Sequence, residues 1–369
     1  MQIHNLSISH LRNIQPCKLD FSDQLNIIYG DNAAGKTSIL EALYILGNGR
    51  SFRTAKHAKV IEHQQDAFTL FAQFQSLESQ HKLGLKRQRN GDITIKLNQE
   101  SVKKLSDLAT TFPVQVLAPE QYELLSKGPS ARRKLLDWGV FHVEHSFLNL
   151  WQRSLKILLH RNQLLKTAKS YRDIEIWDKQ LIPLSEAITE KRQRYVEQLS
   201  PIYQNIIEQF ITDVDTRLHL YPGWAAQKSL TDLLPEQFDK DRRVGFTQSS
   251  IQKADLKIYS GSQLAVEYLS RGQQKMVITA LKLAQLKLMQ QQGQQYPIFL
   301  LDDIGAELDQ HHQQKLLKFL ANQPEKQQIF ITCVHLDPLK SLIKRYNKAS
   351  LFHVEHGRVQ QIEEPTQPN

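Results

Sequence analysis

Two kinds of apolar pattern alternate along the chain. Near the N-terminus, "MQIHNLSIS" and "QLNIIYG" read as two strands separated by a loop. From about Lys36 to Leu46 the apolar residues take helical spacing, with Ile39, Leu40, Leu43 and Leu46 on one face, and "GNGR" stops the run. Between 67 and 98, "FTLFAQFQ", "HKLGLKRQR" and "DITIKLN" alternate in the manner of half-buried strands. Asn90-Gly91 sits between the last two, and both residue types accept the left-handed conformation that a tight hairpin turn needs. An antiparallel sheet is expected there. "FPVQVLAP", 112–119, adds one more strand.

The pattern changes near residue 120. From there to about 215 it is helical and long, clearest in "EHSFLNLWQRSLKILLHRNQLLK", and Pro183 and Pro201 are expected to break the helices or mark turns. Residues 216–260 are mixed, with a strand expected at "ADLKIYS". "EYLSRGQQKMV", 267–277, opens a helix that carries Val277, Leu281, Ala284 and Leu288 on one stripe. A glutamine-rich linker, "MQQQGQQYP", leads to the buried-type strands "IFLLDD" and "QQIFITCVH". No repeat or sustained heptad is present, and "EEPTQPN", 363–369, is expected to be a disordered tail. This order predicts an α/β domain assembled from both ends of the chain, residues 1–120 and 255–369, around a mainly helical insertion at 121–254.

Composition narrows the class. The 369 residues are 40% hydrophobic and 23% charged, with no apolar run long enough to span a membrane. "MQIHNLSISHLRNI" lacks the charged and apolar regions of a signal peptide, and Cys17 and Cys333 have no metal-ligand spacing. A cytoplasmic protein with reduced thiols is expected. The formal charge is +9. Residues 126–200 alone hold fourteen Lys/Arg against eight Asp/Glu, a local +6 that suggests a polyanion-facing surface. A solvated helix face is the alternative.

"GDNAAGKTS" (Gly30, Asp31, Asn32, Ala33, Ala34, Gly35, Lys36, Thr37, Ser38) fits a phosphate-binding loop in the required place, after a strand and opening a helix. Its glycines turn backbone N–H groups toward phosphate oxygens, Lys36 would reach the β- and γ-phosphates of ATP, and the Thr37 hydroxyl would ligate Mg²⁺. "PIFLLDDIGAELD", 297–309, supplies the other half: a buried strand delivering carboxylates at its end. Asp302 would hold Mg²⁺, and Asp303 would orient or deprotonate the attacking water. Aspartate is a short side chain for that task, so a weak ATPase is expected. "FHVEH" occurs at 141–145 and 352–356, but H-x-x-H without a third ligand is a poor metal motif.

These motifs alone would suit a nucleotide kinase. "LSRGQQK" resembles the signature of the ABC ATPase superfamily, with Arg271 in its third position. The resemblance implies that Ser270, Gly272 and Gln273 meet the γ-phosphate held by Lys36 of another subunit. It also makes "AELD", 306–309, a D-loop, Thr332 and His335 candidates for a switch histidine position, and Gln115 or Gln121 a candidate Mg²⁺ sensor. Within the superfamily, "GDNAAGKTSILEALYILGNGRSFRT", "GPSARRKLLDWGVFH" and "LLDDIGAELD" are similar to the three signatures of the RecF family of bacterial DNA replication and repair proteins. "LRNI", 11–14, fits the start of the head shared with chromosome-maintenance ATPases. The resemblance departs at "FTQSSIQKADL", 246–256, where Ser250, Ile251, Gln252 and Lys253 replace the usual Gly-Pro-His-Arg.

The family resemblance implies an ABC-type head with an antiparallel β subdomain and a helical insertion. It implies an ATP-dependent homodimer on duplex, gapped or junction DNA, working with RecO and RecR in RecA loading. Arg132, Arg133, Lys134, Arg153, Lys156, Arg161 and Lys166 in the insertion are the candidate DNA contacts, with Lys86, Arg87 and Arg89 on the hairpin as a second set. An ATPase subunit of a transporter-type ABC assembly is the alternative. Long chromosome-organising arms are excluded by the shortness of the insertion.

Overall fold

Sequence order sets the elements as follows. β1 (Gln2–Ser9), β2 (Cys17–Asp20) and β3 (Leu25–Tyr29) lead through the glycine loop into α1 (Lys36–Asn48). β4 (Ala67–Ser76), β5 (Ser79–Gln88), β6 (Ile93–Leu97) and β7 (Glu100–Ser101) follow, then α2 (Leu105–Thr111) and β8 (Val114–Leu117). The middle of the chain gives α3 (Pro129–Val143), α4 (Phe147–Leu164), α5 (Glu175–Phe210), β9 (Thr216–Tyr221), α6 (Leu230–Glu236) and α7 (Phe238–Val244). β10 (Asp255–Ser260), β11 (Gln263–Leu264), α8 (Ala265–Tyr268) and α9 (Arg271–Gln291) complete it. The C-terminal part adds β12 (Ile298–Leu301), α10 (Ile304–Glu307), α11 (Gln310–Ala321), β13 (Ile329–Cys333), α12 (Lys340–Arg345), β14 (Ala349–Glu355) and β15 (Arg358–Ile362).

This computed structural model describes residues 1–362 apart from 77–78, 213, 226, 293–295 and 347–348, and omits the side chains of Ala306 and Glu307. The expected tail and part of the glutamine-rich linker therefore lie outside the described residues. Among the described residues, no helix is long and apolar enough to cross a membrane.

Two compact units emerge, Met1–Tyr122 with Gly293–Asn369, and Glu123–Gln292. In the first, a mixed sheet runs β15-β14-β3-β13-β12-β8, parallel except at β15, and an antiparallel sheet runs β2-β1-β4-β5-β6-β7. Ile39, Leu40, Leu43 and Leu46 of α1 join one core with Ile3, Leu6 and Ile8 of β1 and Ile298 and Leu300 of β12. The expected hairpin at Asn90-Gly91 forms, with Gly91 at φ 104°. β3 and the parallel strands beside it come from opposite ends of the chain, as an α/β domain closed from both ends requires. The fold is a mixed α/β ABC-type head with an antiparallel subdomain and a helical insertion.

Two expectations need correcting. The chain leaves the second unit at 292–293, not at 254–255. β10 is hydrogen-bonded to β9 from Asp255↔Tyr221 to Ser260↔Thr216, and α9 packs along α5, so both belong with the insertion. The helix-opening stretch "LSRGQQK" therefore lies in the second unit.

Pro183 and Pro201 do not end helices either: both lie inside the 36-residue α5. Each is on the exposed face, where the carbonyls that lose a partner can turn to water. Meanwhile Leu181, Ile188, Leu199, Tyr203 and Ile206 on the other face are buried. A proline costs an interior helix position about 3 kcal/mol relative to Ala, and burial of one large apolar side chain returns about 1.5–3 kcal/mol. Packing outweighs the local breaker.

Candidate functional site

The glycine loop emerges from the C-terminal end of β3, which is buried from Leu25 to Ile28. Gly30 has φ 146°, and a Cβ there would lie 2.2 Å from the Val354 carbonyl oxygen; at Gly35, φ 121°, it would lie 2.6 Å from Ile14 Cδ1. No side chain caps α1 and no acid occupies its first turn, so its amide end is left to an outside anion. Lys36 is only 7% exposed, and its Nζ donates to the carbonyls of Gly30 (2.7 Å) and Asp31 (2.9 Å). Two other segments brace the loop. Asn13 Nδ2 donates to the Ala33 carbonyl (3.2 Å), and the Gly357 N–H donates to that of Ala34 (2.9 Å). Asp31, Asn32 and Ala33 are exposed, whereas Ala34, Gly35 and Ser38 are buried.

β12 runs parallel between β8 and β13 and delivers Asp302 to the same strand ends. The Asp302 Oδ1 accepts from the hydroxyls of Thr37 (3.0 Å) and Thr332 (2.6 Å). Burial raises the Asp302 pKa above the ordinary carboxylate value; the two hydroxyls work against that rise, while Asp303 and Glu120 add to it by repulsion. Asp303 adopts a left-handed backbone (φ 47°, ψ 61°), and its N–H donates to Thr332 Oγ1 at 2.8 Å. Thr332 is fully buried between the two acids, whereas His335 is exposed beyond the end of β13. The structure thus separates these two candidates: the threonine bonds the Asp302 carboxylate and the Asp303 backbone, and the histidine is exposed. Gln115 lies mid-strand in β8, opposite Phe299, while Gln121 follows the end of that strand and donates its N–H to the Ala118 carbonyl. Only Gln121 therefore shares the strand-end side with Asp302. In the D-loop, Asp309 caps α11 by accepting from the His312 N–H at 2.9 Å.

In the second unit, Ser270 is the N-cap of the 21-residue α9. Its Oγ accepts from the Gln273 N–H (3.3 Å), and the Gln273 Oε1 accepts from the Ser270 N–H (2.9 Å). This reciprocal capping box fixes the turn, and Gln274 secures it from below through the carbonyls of Leu269 and Val266. Arg271 and Gly272 are exposed. From Met276 to Met289, α9 is buried almost all round. The turn is therefore a rigid, solvent-facing helix end with no acid in its first turn, suited to an anion.

The basic candidates divide. Contrary to expectation, Arg161 is fully buried, paired with Asp178 (2.6 Å) and Asp241 (2.8 Å) and donating to Thr247 Oγ1 (2.8 Å), so it cannot reach DNA. Arg132 grips the Asp255 carboxylate with two bonds (2.9 and 2.8 Å), and Arg133 donates to the Ala254 carbonyl (2.7 Å). Asp137 holds Arg192, which donates in turn to the Ile251 carbonyl at 3.0 Å. "ARRKLLD" is therefore a clamp on the 251–255 segment, the place where the sequence departs from the family pattern. Lys134, Arg153, Lys156 and Lys166 remain exposed. On the hairpin, Lys86 is exposed, while the Arg89 guanidinium is spent on the carbonyls of Glu62 and Gln65.

Neither "FHVEH" gathers ligands. His142 is buried with its pKa pushed down to about 3 by that burial, and His353 lies in β14 against the Tyr29 ring. Among the described residues no group of three or more His, Cys, Asp or Glu could hold a metal. Both cysteines are free.

Arg12 had no assigned role in the sequence. Its guanidinium makes two bonds (2.9 and 2.7 Å) to the fully buried Glu41 of α1, tying "LRNI" to the helix that follows the loop. Nothing local points to this pair, because its members are 29 residues apart.

Known proteins share the sequence and the fold. A family model described as RecF/RecN/SMC N terminal domain matches residues 2–358. The chain is 44% identical over 364 residues to the DNA replication and repair protein RecF of Shewanella piezotolerans, spanning 98% of this chain and 100% of that one. It is 42% identical over 363 residues to the same-named protein of Shewanella loihica, again spanning 98% and 100%. A solved structure of the recombination mediator protein RecF with ATP superposes with a TM-score of 0.85 at 25% identity, covering 98% of each chain. The Smc head domain of Pyrococcus furiosus, at 14% identity and a TM-score of 0.61 over 98% of this chain and 96% of that one, shares the fold.

Proposed function

The chain belongs to the RecF family, and from that premise we propose that it is a weak, ATP-dependent DNA-binding ATPase of recombinational repair that dimerises on ATP. The observation that carries this reading is the meeting of Thr37 and Asp302 at 3.0 Å beside a buried lysine and an uncapped helix end. The likeness to RecF structures with ATP supports ATP as the nucleotide.

The residues suit Mg²⁺. Thr37 and Asp302 offer hard oxygen donors to one point, and the burial that raises the Asp302 pKa leaves a carboxylate that a cation would favour in its charged form. When bound, the ion would neutralise charge on the phosphate oxygens. Lys36 would release its hold on Gly30 and Asp31 to meet the phosphates, and the loop amides would bind their oxygens. Asp303 would orient the attacking water. Ser270, Gly272 and Gln273 of a second copy would close over the γ-phosphate, so that ATP joins two chains and its hydrolysis releases them.

DNA would lie along Lys134, Arg153, Lys156 and Lys166, whose exposure fits largely sequence-independent phosphate contacts. By family membership, the task is to mark gaps or duplex–single-strand junctions and, with RecO and RecR, to help RecA load. A transporter-type ATPase draws no support from these relatives. Sedimentation with ATP, ADP or no nucleotide, with and without gapped DNA, tests the reading. A dimer that forms only with ATP and is strengthened by gapped DNA is expected; a state indifferent to nucleotide contradicts it.

A further inference from the structure

Behind the C-terminal end of α1, in the first unit, lies a small cavity that the nucleotide chemistry does not use. Its volume is about 40 Å³, and its polar lining comes from Arg50, Ser51, Thr54, His57 and Arg87. Such a space exceeds that of a single water and suits one compact polyatomic ion better than a base or a side chain. Arg50 and Arg87 are the two arginines of its lining, and neither has a carboxylate partner among the described residues. The nearby acid, Glu41, is already bound by Arg12 at 2.7 Å and approached by Arg53 at 3.9 Å.

A second observation is independent of the cavity's shape. The Nε of Arg87 is buried and has no hydrogen-bond partner among the described residues. Its Nη1 makes only a long bond, 3.4 Å, to the Gly49 carbonyl. A buried guanidinium N–H normally finds an acceptor, which an anion or a water in the adjacent space would supply. Arg87 is anchored for this role by β5, where it pairs across the sheet with Phe68 and Ile93. The rim is fixed as well: the Ser51 hydroxyl accepts from the Arg53 and Thr54 N–H groups, and the His57 ring lies 3.2 Å from the Arg89 carbonyl. Around the opening the sequence is basic, with the buried Glu41 accepting from the Ser51 hydroxyl and paired with Arg12. Arg50, Arg53, Lys56 and Lys59 are exposed, and no Asp or Glu occurs from 42 to 61.

We propose that this cavity is a binding site for a single phosphate group, with Arg87 Nε and the Arg50 guanidinium as its donors. The group has two available sources, a free phosphate ion or one phosphate of a nucleic-acid backbone that crosses the basic 50–59 segment. The second source rests on the DNA-binding reading above; the first does not.

The test reads Arg87 directly. In ¹⁵N-labelled, nucleotide-free protein the Arg87 Nε–H resonance, identified by its loss in Arg87→Gln, is followed while sodium phosphate or a short DNA duplex is added against matched sodium chloride. The proposal expects a saturable shift that is absent from the chloride series. Affinity for the duplex is then measured against salt for wild type, Arg87→Gln, Arg87→Lys and Arg50→Gln, the last an exposed position whose change leaves the fold intact. A shift with duplex, joined to a fall of about 1 in the salt slope for Arg50→Gln and Arg87→Gln, assigns the site to the nucleic-acid backbone. A shift with phosphate and an unchanged slope assigns it to the free ion. No shift with either probe overturns the proposal. An unchanged response to Lys134, Arg153 and Lys156 substitutions would count against the wider DNA surface and leave this site standing.

Discussion

Thr332 is bonded to both acids of the site, through its hydroxyl to Asp302 and through its lone pairs to the Asp303 N–H. Replacing it by valine keeps the shape but removes both bonds. A hydrogen bond to a charged group contributes about 1.5–3 kcal/mol, equivalent to about ten- to a hundredfold in rate if it falls on the transition state. Thr332→Val is therefore expected to lower kcat for ATP hydrolysis by that order with KM little changed, and Thr332→Ser to restore it; steady-state kinetics of the three proteins decide. Arg161 makes the opposite case. Truncating it to methionine leaves Asp178 and Asp241 buried without their partner, which costs about 3–5 kcal/mol. Chemical unfolding should show that loss, while the salt dependence of DNA binding stays as in wild type. In the sequence Arg161 is indistinguishable from Arg153 and Lys156, because its partners lie 17 and 80 residues away. Charge patterning reports sign and spacing along a helix, and burial is decided by what packs against it.

Local order explains what was legible among the elements. The glycine loop, the acid-ended strand and the signature turn are each written in one continuous stretch, and each stands where its motif places it. The C-terminal hairpin β14–β15 lacks such a marker in the sequence. Its two-residue turn, His356-Gly357, has positive φ at both positions, the geometry usually announced by Asn-Gly, and histidine is a weak signal for it. The extent of α5 was hidden for another reason: proline marks a local cost, while the compensating burial comes from α4, α9 and β9. Pro183→Ala should accordingly raise the unfolding free energy of the insertion unit, by up to about 3 kcal/mol. A drop in stability on that change would mean the ring itself packs usefully. The Ser270 cap gives a contrasting prediction. Ser270→Ala should cost about 1 kcal/mol of stability, yet on the proposed dimer its effect on ATP-dependent assembly should be much larger, because there the same hydroxyl would face the partner's nucleotide.

At the scale of the molecule, one polypeptide carries a phosphate loop in one unit and a signature turn in the other. A boundary at 254–255 does not follow that division, because β10 and α9 join the insertion through pairing with β9 and packing on α5, neither of which local pattern reports. The proposed function requires a complete nucleotide site shared between two chains. Sedimentation with ATP of Lys36→Met and Ser270→Arg, separately and mixed, decides whether it is. The first would lack the lysine proposed to meet phosphate but keep a sound signature turn; the second would keep the phosphate loop but lack the turn. Each alone should remain monomeric, and the mixture should form heterodimers, because pairing one of each rebuilds a single intact site. Full dimerisation of Ser270→Arg on its own, or a mixture that behaves as the sum of its two monomers, would contradict the claim.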